Sequence, residues 1–211
     1  MSAVLHGRTT WEVLRTAVRR ARRPSYVAVA YFGQGAAGML SLAHGSRLVV
    51  DASEGSVKSG QTCPAELAKL ARRGVRIFGI NNLHAKVFVL GSRAFIGSAN
   101  VSRRSADTLL EAVVETTDRR VVAAAKRFVL DLCLSPLGPE AIARLQRMYR
   151  PPRIGGARRG MRSSPGANAP IGLPPVRLAQ LAMAAPPPGS DAAQEAGRTA
   201  ARKRLERPRL H

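Results

Sequence analysis

Cysteine is nearly missing from this chain: Cys63 and Cys133 are the two in 211 residues. They stand far apart with no metal-ligand spacing, which excludes a zinc ribbon. Both lie in apolar helical context, so they read as buried, reduced thiols, and a cytoplasmic setting fits. His6, His44, His84 and His211 form no ligand cluster, so no metal and no other cofactor is expected. No apolar run approaches the ~20 residues that span a bilayer, so no transmembrane segment is expected. Met1 to Thr10 lacks the apolar core of a secretory signal. Aromatic residues make up 4%, and no acyl-binding surface is visible. No internal repeat occurs. Acidic residues are the scarcest relative to their counterparts: 13 Asp and Glu face 34 Lys and Arg, for a net charge of +21.

An excess of that size attracts polyanions through counterion release and steers their approach. Nucleic acid is the first partner it implies, DNA ahead of RNA, and anionic lipid surfaces come second. Base bias in a genome can also enrich arginine and alanine, but the resulting field acts whatever its origin.

Taken in order, the chain alternates helix and strand. Thr9 to Arg23 reads as a helix, with Thr9 and Glu12 at capping-box spacing and Trp11, Leu14, Val18 and Ala21 at helical intervals. Tyr26 to Phe32 reads as a buried strand, Gly33-Gln34-Gly35 as a tight turn into a short helix, and Arg47 to Ala52 as a second strand. Asp51 at its end reads as a turn-forming aspartate. Ser53 to Gln61 reads as a mobile loop, Thr62 to Arg73 as a helix capped by Thr62, and Val75 to Ile80 as a third strand. This order implies an α/β fold whose mixed, largely parallel sheet is flanked by helices. Leu109 to Thr116 reads as a further strand. Asp118 caps a helix to about Cys133, and Pro139 begins a last one to about Tyr149. From Pro151 to His211 paired prolines and glycines break all periodicity, and the segment reads as a disordered basic tail with a transient helix around Leu173 to Met183. Its terminal RKRLERPRLH cluster could hold nucleic acid nonspecifically. Residues 1–150 are thus read as one catalytic domain.

The stretch His84 to Glu111, HAKVFVLGSRAFIGSANVSRRSADTLLE, organises the rest. Two apolar strands flank Gly91-Ser92-Arg93, which reads as a hairpin. His84 and Lys86 would share one face, and Ser98 and Asn100 one face of the partner strand. The hairpin would gather an imidazole, an ammonium, a hydroxyl and a carboxamide, a set suited to an anion. Arg103 and Arg104 follow in a basic loop placed to touch a phosphate backbone.

HxK followed by GSxN resembles the phospholipase D superfamily, whose members cleave or exchange phosphodiesters. The resemblance is close over His84 to Glu111 and loose upstream. It implies that His84 is the histidine that becomes phosphorylated, that Lys86 and Asn100 bind phosphate, that Ser98 is the hydroxyl beside them, and that Glu111 holds the histidine ring. The family motif usually has aspartate five positions after the lysine; here that position is Gly91. Members use two HxK motifs per site, and this chain has one, so the resemblance implies a homodimer with one site across a twofold axis. A metal-independent nuclease is the function expected. A noncatalytic nucleic-acid-binding module and a lipid phosphodiesterase are the alternatives. A serine hydrolase is disfavoured, since no nucleophile elbow surrounds Ser98.

Overall fold

A computed structural model describes residues 3–152. The tail expected from residue 151 onward, with its helix and terminal basic cluster, therefore lies almost wholly outside the described residues.

Seven strands form one sheet: β1 (Ala3–His6), β2 (Tyr26–Val29), β3 (Arg47–Val50), β4 (Arg76–Gly79), β5 (Lys86–Leu90), β6 (Arg93–Gly97) and β7 (Val113–Thr116). Their order across it is β1-β7-β6-β5-β2-β3-β4. β2, β3 and β4 run parallel, while β5, β6, β7 and β1 add by antiparallel pairing. The expected largely parallel sheet is thus corrected to a mixed and mostly antiparallel one. The connections explain it. Helices α2 (Ala36–Met39), α3 (Glu54–Lys58) and α4 (Pro64–Arg72) carry the chain over between the first three of these strands, as parallel pairing requires. After β4 a short turn through Asn81 and Asn82 sends the chain straight back beside β2, and straight return gives antiparallel pairing.

The sheet is apolar on both faces, which is why its central strands read as continuous hydrophobic runs. One face, with Val27, Val29, Leu48, Val50, Ile77, Phe88 and Phe95, shares a core with Trp11, Leu14 and Val18 of α1 (Thr10–Arg20) and with Leu67 and Leu70 of α4. The opposite face, with Ala28, Val49, Phe78, Val87, Val89 and Ala94, packs against Ala125 and Val129 of α6 (Arg119–Asp131). A short helix α5 (Arg103–Asp107) and a last helix α7 (Pro139–Met148) complete the unit. No helix among the described residues is long and apolar enough to cross a membrane.

Several local expectations change. Thr9 makes no side-chain cap; Thr10 Oγ1 instead donates to His6 O at 3.0 Å, tying α1 to the end of the unanticipated edge strand β1. Thr62 donates to Asp51 O at 2.7 Å rather than capping α4. Asp118 does cap α6, accepting from the N–H groups of Arg120 and Val121. The expected loop at Ser53 to Gln61 contains α3, because Ser53 caps it and Ser56 Oγ donates to the buried Asp51 carboxylate at 2.8 Å. Both cysteines are free; Cys63 is buried, whereas Cys133 is half-exposed.

Candidate active site

The β5–β6 hairpin determines where the site lies. β5 pairs with β6 in the register Val87↔Ile96 and Leu90↔Arg93, leaving Gly91-Ser92 as a two-residue turn. His84 just precedes β5 and Ser98 just follows β6, so both sit at the open end, away from the turn. β5 also pairs antiparallel with β2, which brings that end level with the carboxyl edge of the parallel strands, where α/β sheets collect ligands.

His84 leaves a turn in which Asn82 takes φ 61, with buried Leu83 anchoring the approach. Its ring is exposed and forms no hydrogen bond among the described residues. Lys86 is the reverse, only 7% exposed, with Nζ donating to His84 O at 2.9 Å. Burial lowers its pKa from the ordinary value, and the charge of Glu111 opposes that shift.

Strand β6 stops at Gly97, and this residue explains the GS pair. A Cβ there would lie 2.0 Å from Ala112 O and 2.7 Å from Val113 Cα, so only glycine admits the approach of β7. Immediately after it, Ser98 N donates to Ala112 O at 2.9 Å and Ala112 N donates to Ser98 Oγ at 3.1 Å. Ser98 and Asn100 therefore do not alternate along a strand as expected. They lie on a segment that leaves the hairpin and runs beside residues 31–33, with Val101 bridging Phe32. Asn100 Oδ1 accepts from Tyr31 N at 3.2 Å, which fixes the carboxamide's orientation beyond the end of β2.

Glu111 precedes β7 instead of lying within a strand from Leu109. Its carboxylate accepts hydrogen bonds from Ser98 Oγ and, at 2.6 Å, from Ser105 Oγ, and it is 7% exposed. These bonds draw residue 111 out of the ladder, which shortens the strand. The carboxylate engages two serines, whereas the implied partner, the His84 ring, carries no bond to it. Ser105 in turn accepts from Trp11 Nε1 at 3.2 Å, and its own N–H donates to Ser102 Oγ, the cap of α5. Glu111 O also accepts from Thr10 Oγ1 at 3.3 Å.

The hairpin end thus gathers Lys86, Ser98 and Glu111 around one another, with His84 adjoining through Lys86 and Asn100 held on the neighbouring segment. Ser105, Trp11 and Thr10 are supports that the motif did not name. The Ser102-to-Ser105 spacing is a helix-start pattern that could have revealed α5, but Trp11 comes from a distant helix and only the fold brings it in. Arg103 and Arg104 are exposed on α5, and neither forms an ion pair among the described residues. Arg103 lies over the glycine loop, where a Cβ on Gly35 would be 3.2 Å from its Nε. That loop offers little to a phosphate, because the N–H of Ala37 already donates to Glu66 Oε2 at 3.0 Å. No three His, Cys, Asp or Glu side chains converge as a metal site among the described residues.

Residues 15–130, which contain His84, Lys86, Ser98, Asn100, Ser105 and Glu111, match the family described as cardiolipin synthase, PLD-like domain. The chain belongs to the phospholipase D superfamily. It is a phosphodiesterase of that superfamily. No curated protein matches it in sequence. Among solved structures, NucT from Helicobacter pylori aligns with a TM-score of 0.53 at 16% identity, covering 65% of this chain and 98% of NucT. Nuc from Salmonella typhimurium, a phospholipase D family member, aligns with a TM-score of 0.49 at 17% identity, covering 64% of this chain and 95% of Nuc. The likeness to NucT shows that the phospholipase D-like fold accounts for the described sheet and helices.

Proposed function

We propose that the protein is a metal-independent nuclease whose active site forms between two copies of the chain and works through a phosphohistidine at position 84. The supporting observation is the contrast at the hairpin end. One imidazole stands exposed and unbonded, beside a lysine and a glutamate that are buried and held. A nucleophile must reach its substrate, whereas the groups that stabilise charge act best when fixed beforehand.

In this scheme a ring nitrogen of His84 attacks phosphorus in line, and the P–O bond to the leaving group breaks as the N–P bond forms. The partner's His84 gives its proton to the departing oxygen. Water then loses a proton to that neutral imidazole and attacks phosphorus. The N–P bond breaks, the first ring is freed and both rings return to their starting states. Lys86 and Asn100 stabilise charge on the nonbridging oxygens. Glu111, held by Ser98 and Ser105, sets its charge near Lys86.

A second copy is required because the sequence carries one HxK motif. Two exposed leucines, Leu109 and Leu110, stand immediately before Glu111 and offer apolar surface beside the site for that contact. Nucleic acid is preferred as substrate over lipid because of the +21 charge and the exposed Arg103 and Arg104.

The test incubates purified protein with plasmid DNA, RNA and DNA oligonucleotides, and phosphatidylcholine vesicles, all in EDTA. Strand cleavage, with radiolabel trapped on His84 after acid-free quenching, is the expected result. Lipid hydrolysis alone would move the substrate class. Salt-sensitive binding without cleavage would leave a binding module. A fully active monomer in analytical ultracentrifugation would remove the shared site.

A further inference from the structure

A second concave surface lies at the turn end of the β5–β6 hairpin, opposite the end that carries His84. It encloses about 610 Å³ and is lined by Arg23, Arg119 and Lys126 together with Tyr26, Ser92 and Thr117. No aspartate or glutamate lines it. All three cations are exposed, and Arg23 and Arg119 form no ion pair among the described residues. The two carboxylates flanking Thr117 are already engaged: Asp118 caps α6, and Glu115 holds His6 at 2.8 Å and Arg93 at 2.6 Å. Lys126 is steadied by the Tyr26 ring, its Nζ 4.5 Å from the ring centroid.

Three cations converging on a hollow without a counter-charge repel one another, and a polyanion entering it relieves that repulsion. The Ser92 and Thr117 hydroxyls at the same hollow can donate to nonbridging oxygens. Gly91, where the family motif usually has aspartate, also lines this hollow, so the motif's one departure removes a carboxylate from it. A lipid surface fits less well. The large apolar side chains here, Val89 and Val122, are buried and half-buried, and the exposed Leu109 and Leu110 lie at the opposite end of the hairpin.

We propose that this hollow is a second phosphate-backbone site, gripping a nucleic-acid strand away from the catalytic centre. Along β5 the distance from Lys86 to Gly91 is ~16 Å, which is about five base-pair steps of a duplex at an axial rise of ~3.4 Å each. The grip needs no turnover, so it stands or falls separately from the nuclease reading.

The test uses the full chain carrying His84→Ala, so that the nucleic acid survives. Binding of a fluorescent 30-base-pair duplex is followed by anisotropy between 50 and 200 mM salt. The comparison sets Arg23→Gln/Arg119→Gln/Lys126→Gln against a control, Arg72→Gln/Arg144→Gln/Arg150→Gln, which removes the same charge from exposed positions elsewhere. Three lost contacts at ~0.9 each should make the slope of log affinity against log salt shallower by about 2.7. The control should move it by less than one contact's worth. Gly91→Asp supplies an independent perturbation: a Cβ at Gly91 meets nothing within 4 Å, and aspartate, though strained at its φ of +64, is among the side chains that adopt that region most often. It should weaken duplex binding without unfolding the protein. Unchanged slope in the triple variant, an equal change in the control, or full affinity in Gly91→Asp would overturn the proposal. So would loss of binding to phosphatidylglycerol vesicles with duplex affinity intact, which would assign the hollow to membrane.

Discussion

Ser105→Ala is the perturbation that most directly probes how the site is held together. Ser105 is 1% exposed and its hydroxyl joins two buried groups, donating to Glu111 at 2.6 Å and accepting from Trp11 Nε1 at 3.2 Å. Alanine removes a hydrogen bond to a charged group, worth ~1.5–3 kcal/mol net, and leaves the indole N–H unsatisfied at a further ~1–3 kcal/mol. Partial relaxation should keep the total near ~3 kcal/mol. For a domain of this size that corresponds to a Tm lower by roughly 6–12 °C. The assay is built in, since Trp11 is the single tryptophan and is itself one of the partners. Urea unfolding followed by its emission should show an earlier midpoint with an unchanged slope. Trp11→Phe removes the same donor and the fluorophore with it, so in a double-mutant cycle followed by circular dichroism the two changes should couple by ~1 kcal/mol or more. Because Glu111 also holds Ser98 and faces Lys86, turnover of a small phosphodiester should fall along with stability. A Ser105→Ala protein within ~0.5 kcal/mol of the parent, with no coupling to Trp11→Phe, would refute the network.

His84→Ala should abolish turnover in EDTA while changing stability by less than ~0.5 kcal/mol, because the exposed ring has no hydrogen bond to lose; paired activity and urea measurements check both halves. Lys86 should leave a mark at alkaline pH. Burial sets its folded pKa below the ordinary value of 10.5, so between the two values the unfolded chain binds more protons and stability rises with pH. Relative to Lys86→Met, the parent should therefore gain stability as pH climbs from neutral through that window, and parallel urea midpoints at pH 7, 9 and 10.5 would count against it. Gly97→Ala should lose at least ~3 kcal/mol or fail to fold, since its Cβ would meet Ala112 O at 2.0 Å; soluble yield and circular dichroism report the outcome.

What the amino-acid sequence determined by itself was local and periodic. The alternation of apolar runs with capped helices marked out most elements, and HxK with GSxN marked the hairpin end that carries His84, Lys86, Ser98 and Asn100. Direction of pairing was not local. A strand run such as KVFVL reads the same whether its neighbour is parallel or antiparallel, and the short return after Asn82 placed β5 against β2 the other way round. Edge strand β1 was missed because its few residues gain their ladder only from β7, which lies more than a hundred positions away. The partners of Glu111 were likewise hidden. Position 111 was marked by its spacing from the motif, but only the tertiary structure brings Ser105 and Trp11 to it, because a buried carboxylate takes whichever donors the fold delivers.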